Sequence, residues 1–255
     1  MKRATVLDAR GKELSPCSED RARKLVQTGK AELLSEDPLV IRLYRTVELP
    51  PPKPREAETH PLQGKKLLLH ICCGPCATYS VKRLREEGAE VTGYWFNPNI
   101  HPYSEHERRR ESLAHLAEQI ELPMIWEPGY EMPTFLRAVV GHERFGERCL
   151  ICYRMRLERT AQVAAREGFE LFTTTLLISP YQNQRAIKHI GEELAEQYGV
   201  PFYFENLRRG FAEHYRLARE YGLYMQRYCG CIYSEWESLD PEASTHPRRR
   251  STPSG

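Results

Sequence analysis

The sequence has no apolar stretch long enough to span a membrane, and it lacks the opening of a secretory signal. Charge appears at Asp8 and Arg10, before an apolar segment of signal length has formed. We therefore expect a cytoplasmic protein with no membrane partner. A charge bias is missing too: 37 basic against 35 acidic residues leave a net charge of +2, so total charge alone does not indicate a nucleic-acid partner.

The composition is that of an ordinary globular protein. With 255 residues, 40% of them apolar and 28% charged, the chain is long enough for one full core plus a small extra module. Four prolines between Pro50 and Pro54 disfavour helix and central strand and indicate an extended linker. We expect a small α+β module at 1–48, a proline-rich linker at 49–63, a main domain at 64–237 and a basic, disordered tail at 238–255.

The main domain alternates predicted strands with predicted helices. Strands are expected at 67–71, 90–96, 122–126, 169–177 and 200–204, and helices at 77–84, 104–119, 148–167 and 185–198. This alternation predicts the α/β class, with a doubly wound, mostly parallel, Rossmann-like or HUP-like sheet and a binding crevice beyond the carboxyl ends of its strands. In the second helix, Ser104 is the expected N-cap, and the run Arg108–Arg110 is expected to be solvated.

The cysteines are concentrated in a few places. Seven of the eight form three tight groups: Cys72/Cys73/Cys76, Cys149/Cys152 and Cys229/Cys231. A reducing compartment disfavours a disulfide framework, and clustering at ligand spacing favours metal.

Two of these groups allow more specific expectations. Adjacent Cys72 and Cys73 would face opposite ways in a regular strand, so both can bind one metal only if the strand ends before them. Cys149 and Cys152 alone fit a redox pair equally well; at a helix start beside arginines, we expect a lowered pKa for their thiols. Cys17, outside the groups, is interpreted as a small buried apolar residue.

Five motifs occur in order between residues 65 and 237. They are His70-Ile71-Cys72-Cys73-Gly74-Pro75-Cys76, Asn97-Pro98-Asn99-Ile100-His101-Pro102-Tyr103, Cys149-x-x-Cys152-Tyr153, Thr173-Thr174-Thr175-Leu176-Leu177-x-Ser179-Pro180-Tyr181-Gln182 and Gly222-Leu223-Tyr224-x-Gln226-x-Tyr228-Cys229-Gly230-Cys231. Together they resemble the epoxyqueuosine reductases of the QueH type. The resemblance implies an oxidoreductase that reduces the epoxide of epoxyqueuosine at the wobble position of tRNA, which is the last step of queuosine biosynthesis.

The resemblance also implies cofactor, partners and residue roles. By it, Cys72, Cys73, Cys149 and Cys152 are the ligands of a [4Fe-4S] cluster, and Cys229 with Cys231 form a redox-active pair. Four thiolates are the usual complement of such a cluster. The implied partners are tRNA carrying epoxyqueuosine and an electron donor, either a protein or a small reductant.

The first 45 or so residues resemble the small RRXRR or PLMP-type module found at the start of several nucleases. The resemblance is carried by Val6–Lys12, by Pro16-Cys17-Ser18 with the basic helix after it, and by Gly29-Lys30-Ala31. No nuclease motif follows in the sequence. The resemblance therefore implies an accessory module for handling nucleic acid.

Several roles stay open at the level of sequence. Cys76 could hold an additional iron or zinc ion beside the cluster, or be a spare thiol. His101, Tyr103 and Tyr181 lie on loops where they could donate a proton to the departing epoxide oxygen. Zinc remains an alternative for the first four ligands.

Two alternative functions stay open. One is an ATP-dependent iron-sulfur tRNA thiolase, although such an enzyme would need a glycine-serine pyrophosphate loop that is missing here. The other is a zinc-binding RNA adaptor.

Overall fold

The computed structural model describes residues 3–46, 61–240 and 242. The chain divides into two compact units, Met1–Glu58 and Thr59–Gly255. Most of the predicted linker and of the predicted basic tail lies outside the described residues. Within the described part, every helix is too short or too polar to cross a membrane.

The first unit is a four-stranded sheet with one helix. Its elements are β1 (Arg3–Leu7), β2 (Glu13–Ser18), α1 (Glu19–Gln27), β3 (Ala31–Glu36) and β4 (Leu39–Leu43). The strand order is β2-β1-β4-β3, in which β1 and β4 run parallel and the two outer pairings are antiparallel. Cys17 lies on β2, which the sequence analysis missed, and it packs half-buried against the small core of this unit.

The second unit is built on a parallel sheet. Its strands are β5 (Lys66–His70), β6 (Glu90–Trp95), β7 (Met124–Trp126) and β8 (Leu171–Thr174), in the order β7-β6-β5-β8. The helices are α2 (Gly74–Glu86), α3 (Tyr103–Gln119), α4 (Met132–Val139), α5 (Glu147–Glu167), α6 (Gln184–Tyr198), α7 (Phe211–Glu220) and α8 (Ile232–Leu239). Two short 3₁₀ segments, Thr175–Ile178 and Leu207–Gly210, follow β8 and precede α7.

The central strand β5 is buried on both faces. Leu67 and Leu69 pack into one core with side chains of α2 and α3, and Leu68 packs into a second core with side chains of α5 and α6. Because a parallel sheet needs helices on both faces, a continuous apolar run is what such a strand requires. The predicted α/β class with a parallel sheet is therefore confirmed.

Some elements differ from the sequence prediction. The expected fifth strand at 200–204 is reduced to a single parallel bridge between Phe202 and Phe172. The helices α4 and α7 were not among the predicted helices. Ser104 is not an N-cap, because α3 already begins at Tyr103 after Pro102. Helix ends are set by tertiary contacts as much as by local capping signals.

The order of strands creates a crevice. The chain moves from β5 outward through β6 to β7, and then returns to the opposite side of β5 as β8. At such a switch point, the loops that leave two neighbouring strands diverge to opposite faces and open a space beyond the carboxyl ends. The segments that begin at Ile71 and Thr175 leave β5 and β8 at this point.

One buried glycine makes the packing of α6 testable. A Cβ atom at Gly191 would lie 2.3 Å from Cδ1 of Phe202. Helix propensity alone predicts that Gly191→Ala stabilises the protein by about 1 kcal/mol. Because overpacking typically costs about 1–3 kcal/mol, we expect net destabilisation in denaturant unfolding. In a Phe202→Leu background the same change should become neutral or stabilising, and stabilisation with Phe202 intact would contradict this packing.

Candidate metal and redox site

Hydrogen bonds fasten the ends of three neighbouring strands. His70, at the end of β5, is fully buried; its Nε2 donates to the carbonyl oxygen of Phe96 at 3.2 Å, and its Nδ1 accepts from the hydroxyl of Thr174 at 2.9 Å. Burial lowers the pKa of His70 to about 4, so the ring is neutral, as this pattern requires. The side chain of Asn97 donates to the carbonyl oxygen of Ile71 at 2.9 Å. The loop after β5 is thereby held in a fixed position.

This loop presents three buried thiols. Since β5 ends at His70, Cys72 and Cys73 lie outside the regular strand and can face the same space, as the sequence analysis required. Their Sγ atoms are 3.8 Å apart, and the Sγ atoms of Cys72, Cys73 and Cys76 all lie within 4.8 Å of one another. Thr175 anchors the loop, because its Oγ1 accepts from the backbone N–H of Cys72 at 3.2 Å. A group of this size could hold a metal ion.

The second sulfur group lies on the first turns of α5. Cys149 is half-buried and Cys152 is buried. The expected lowering of their pKa is wrong for the protein without metal: burial raises the pKa of Cys149, and it raises that of Cys152 to about 12. Desolvation of a thiolate outweighs the attraction of the nearby arginines. Metal binding at these thiols would therefore release protons.

The third group is tied to α3. Arg109 donates from Nη1 to the carbonyl oxygen of Cys229 at 3.2 Å and from Nη2 to that of Tyr228 at 3.1 Å. Gly230 has φ +130, and a Cβ there would approach Ile100 Cγ1 to 3.0 Å, so glycine suits both the conformation and the space. The Sγ atoms of Cys229 and Cys231 are 3.9 Å apart. At this distance the two sulfurs are separate thiols and do not form a disulfide.

Arg109 itself corrects a sequence expectation. The run Arg108–Arg110 was expected to be solvated, but Arg109 is only 2% exposed and donates to Glu105 at 2.8 Å. Arg108 lies over the ring of Tyr224, and Arg110 pairs with Glu107 at the surface. Three successive positions of a helix point in different directions, and the central one faces the cysteine loop.

A cavity of about 190 Å³ lies where these segments meet. Its lining includes one or two cysteines from each group, namely Cys72, Cys76, Cys149 and Cys229. The rest of the lining comprises Arg109, Phe145, Arg148, Thr175, Leu176, Ser179, Tyr181, Gln182, Phe211, His214, Tyr215, Gln226, Arg227, Tyr228, Ser234 and Glu237. Segments far apart in sequence thus bring their sulfurs to one cavity.

The three candidate proton donors lie in different places. Tyr181 lines the cavity and is 57% exposed. His101 is buried behind the loop that carries Cys229 and Cys231. Its backbone N–H donates to the carbonyl oxygen of Gly230 at 2.7 Å. Tyr103 is 58% exposed but stacks against His106, away from the cavity lining. Only Tyr181 is therefore placed to meet a ligand in the cavity.

Two guanidinium groups are buried beside the sulfurs. Arg148 donates from Nη2 to Glu237 at 2.6 Å. Arg156 is 3% exposed, and its Nε donates to the carbonyl oxygen of Cys152 at 3.2 Å. Among the described residues, Arg156 forms no ion pair with a carboxylate, and the titrating groups that act on it most strongly are Cys152, Cys72 and Cys229. A buried cation surrounded by thiols fits an anionic, thiolate-bound group.

Unpartnered polar atoms support the same interpretation. Gln226 donates from Nε2 to Sγ of Cys73 at 3.0 Å, while its buried Oε1 has no hydrogen-bond partner among the described residues. The buried Nε of Arg148 is likewise unpartnered there. Buried polar atoms are normally satisfied, so their occurrence beside the sulfurs is consistent with a bound group that the protein is built to hold.

Sequence analysis missed the arginines as site residues. A periodic signal existed for Arg156, which lies one helical turn after Cys152 and therefore on the same face. No comparable signal marked Arg109, because it lies in a run of three identical residues. His214 and Gln226 were likewise not singled out as site residues, although both line the cavity.

Comparisons with known proteins give two family matches. Residues 67–237 match the family model described as epoxyqueuosine reductase QueH, and residues 4–62 match the model described as RRXRR protein. The first match contains all seven grouped cysteines.

Curated relatives extend the match. The epoxyqueuosine reductase QueH of Dehalococcoides mccartyi is 41% identical over 172 residues, which are 68% of this chain and 93% of the relative. The QueH of Thermotoga maritima is 38% identical over 190 residues, 72% of this chain and 97% of the relative. The QueH of Haemophilus influenzae is 32% identical over 228 residues, 87% of this chain and 88% of the relative. The chain therefore belongs to the QueH family of epoxyqueuosine reductases.

Proposed function

We propose that this protein reduces the epoxide of epoxyqueuosine in tRNA to the cyclopentene of queuosine, using a [4Fe-4S] cluster held in the cavity. The observation that carries the proposal is the meeting of three cysteine groups around one cavity at the switch point of the sheet, near the buried guanidinium of Arg156, which has no carboxylate partner within the described part of the chain. The family to which the chain belongs supports the reaction.

The proposed cluster ligands are Cys72, Cys73, Cys149 and Cys152. Two come from the loop after β5 and two from the first turns of α5, so one cluster would join two elements on the sheet edge. Arg156 supports this choice because it interacts electrostatically with both Cys72 and Cys152. When bound, a [4Fe-4S] cluster supplies single electrons at a potential set by its surroundings.

The proposed role of Cys229 and Cys231 is that of a redox pair. Converting an epoxide to an alkene breaks two C–O bonds and consumes two electrons and two protons, with release of water. Oxidation of the pair to a disulfide supplies the two electrons, but it supplies only one proton when one of the sulfurs starts as a thiolate, so the second proton comes from another donor. The hydrogen bond with Cys231 lowers the pKa of Cys229 to about 5, so the cavity-facing sulfur is a thiolate at neutral pH. An external reductant would then restore the dithiol.

Cys76 has a separate proposed role. Its Sγ lies within 4.8 Å of those of Cys72 and Cys73, and it lines the cavity. We place an additional iron or zinc ion at this sulfur. For the proton that the leaving oxygen requires, Tyr181 is the candidate that the cavity favours.

The domain boundaries of the sequence analysis also stand as a proposal: a module at 1–48, a linker at 49–63, a reductase domain at 64–237 and a tail at 238–255. The match of residues 4–62 to the RRXRR model supports a separate first module. Leu62 is buried in the core of the second unit and its N–H donates to the carbonyl oxygen of Glu87, so packing of this unit begins two residues before the proposed start at 64.

The proposal is tested by genetics and mass spectrometry. In a strain without epoxyqueuosine reductase activity, expression of this chain should convert the accumulated epoxyqueuosine of tRNA to queuosine. The Cys229→Ser/Cys231→Ser double variant should leave epoxyqueuosine in place, because the redox pair is gone. Persistence of epoxyqueuosine with the unaltered protein present and iron-loaded would contradict the function.

A further inference from the structure

The mouth of the cavity carries a group of aromatic rings, of which the proposed reduction uses only the hydroxyl of Tyr181. Phe211 lies at the centre of this group, 6.2 Å from the ring of Tyr181 and 5.3 Å from that of Tyr215 between centroids. The ring of His214 lies 4.1 Å from that of Tyr215. All four residues line the cavity. We call Tyr181, Phe211, His214 and Tyr215 the aromatic rim.

Part of this rim faces solvent. Tyr181 is 57% exposed and Tyr215 is 39% exposed, while His214 is buried. The rings come from two segments, since Tyr181 follows the 3₁₀ segment after β8 and the other three lie on α7. Exposed aromatic rings beside a ligand cavity are favourable stacking surfaces for flat groups.

A cation at the protein surface lines the same cavity as the rim. Arg227 is exposed, lines the same cavity and, among the described residues, forms no salt bridge. Its neighbours in the lining, Arg109 and Arg148, are both buried and paired with carboxylates. The cavity lining therefore combines apolar ring faces with an exposed guanidinium that has no carboxylate partner among the residues the structure describes.

The substrate determines which flat group must enter. An enzyme that acts on a base within RNA has to take that base out of its stack, and the exposed neighbours then need new stacking partners. We propose that the aromatic rim stacks a nucleobase of the tRNA anticodon loop while Arg227 binds the adjoining phosphate. This inference rests on the proposed function, since it takes tRNA as the substrate.

Stacking and charge predict separable effects. Alanine substitution of a stacking residue weakens binding by about 5- to 100-fold, with little dependence on salt. Loss of one phosphate contact in a single-stranded segment lowers the slope of log Kd against log salt by about 0.7. The two contributions can therefore be measured on one RNA.

The experiment uses the full chain and an anticodon stem-loop RNA with 2-aminopurine beside the wobble position. We expect binding to quench the fluorescence, Tyr181→Ala to raise Kd and KM by about 5- to 100-fold with loss of quenching, and Tyr181→Phe to restore both. Tyr215→Ala provides a second rim variant. Tyr103→Ala is the matched control, because Tyr103 is equally exposed but lies outside the cavity lining.

Arg227→Gln should lower the salt slope by about 0.7 and leave quenching intact. Unchanged Kd and quenching in both rim alanine variants would overturn the inference, as would a Tyr181→Phe variant no better than Tyr181→Ala. Failure of the unaltered protein to reduce the epoxide despite normal binding and quenching would instead count against the proposed function. The two failures are thus distinguishable.

Discussion

Cys149→Ser should abolish epoxyqueuosine reduction and remove the visible iron-sulfur absorbance. Cys149 lines the cavity with Cys72 and Cys76, and serine is a far poorer ligand for a cluster iron than a thiolate. Loss of residues that only support a ligand reduces metal affinity or activity by about 10- to 100-fold. Loss of a ligand should therefore exceed about 100-fold. The measurements are iron and sulfide content, the visible spectrum and turnover, all after anaerobic purification.

Cys17→Ser is the control for this prediction. Cys17 is half-buried in the first unit, outside the three cysteine groups, so its replacement should leave iron content and colour unchanged. A Cys149→Ser protein with full iron and sulfide content and an unaltered spectrum would contradict the proposed ligand role. A colourless protein that still folds cooperatively would support it, because only the bound group has then been lost.

Arg156→Met should destabilise the cluster-loaded protein far more than the metal-free protein. In the loaded protein, the guanidinium faces thiolates, and removing one partner of a buried charge pair costs about 3–5 kcal/mol. In the metal-free protein the neighbouring Cys152 keeps its proton, because burial raises the pKa of this thiol to about 12. There the guanidinium faces fewer thiolates and, among the described residues, has no carboxylate partner, so the variant should lose much less stability than in the loaded protein. Anaerobic denaturant unfolding of both forms measures the difference.

Arg154→Met is the matched control on the same helix. Arg154 is exposed and pairs with Glu193 at the surface, where an ion pair contributes at most about 1 kcal/mol. This variant should affect the loaded and metal-free forms alike. If Arg156→Met also destabilised both forms equally, Arg156 would be a packing residue, and its proposed interaction with a bound anion would be wrong.

The sequence predicted which strands and helices carry the site more reliably than it predicted the pKa values of the site's thiols. The apolar run before Cys72 and the short spacing to Gly74 predicted a buried strand that ends ahead of the thiols, and β5 ends at His70. The lowered pKa expected for Cys149 and Cys152 was wrong, since a pKa depends on desolvation, which the sequence does not reveal. Burial in this fold outweighs the helix terminus and the adjacent arginines.

The same distinction applies to the arginines. The run Arg108–Arg110 gives three equivalent residues in sequence, yet one is buried and holds the loop of Cys229, while another pairs with Glu107 at the surface. The orientation of α3 relative to that loop decides which of the three arginines is buried. The predicted fifth strand failed for a related reason, because its β-rich segment makes a single bridge to Phe172 and then leaves the sheet edge.

The class of fold and the cysteines to consider could be read from the sequence alone, because strand-helix periodicity, turn residues and ligand spacing are local properties of the chain. The resemblance of its five ordered motifs indicated the family. The tertiary structure decided which side chains share the cavity and which cation lies buried beside the sulfurs. Those properties arise from contacts between residues more than a hundred positions apart, such as Cys72 with Thr175 and Arg109 with Cys229.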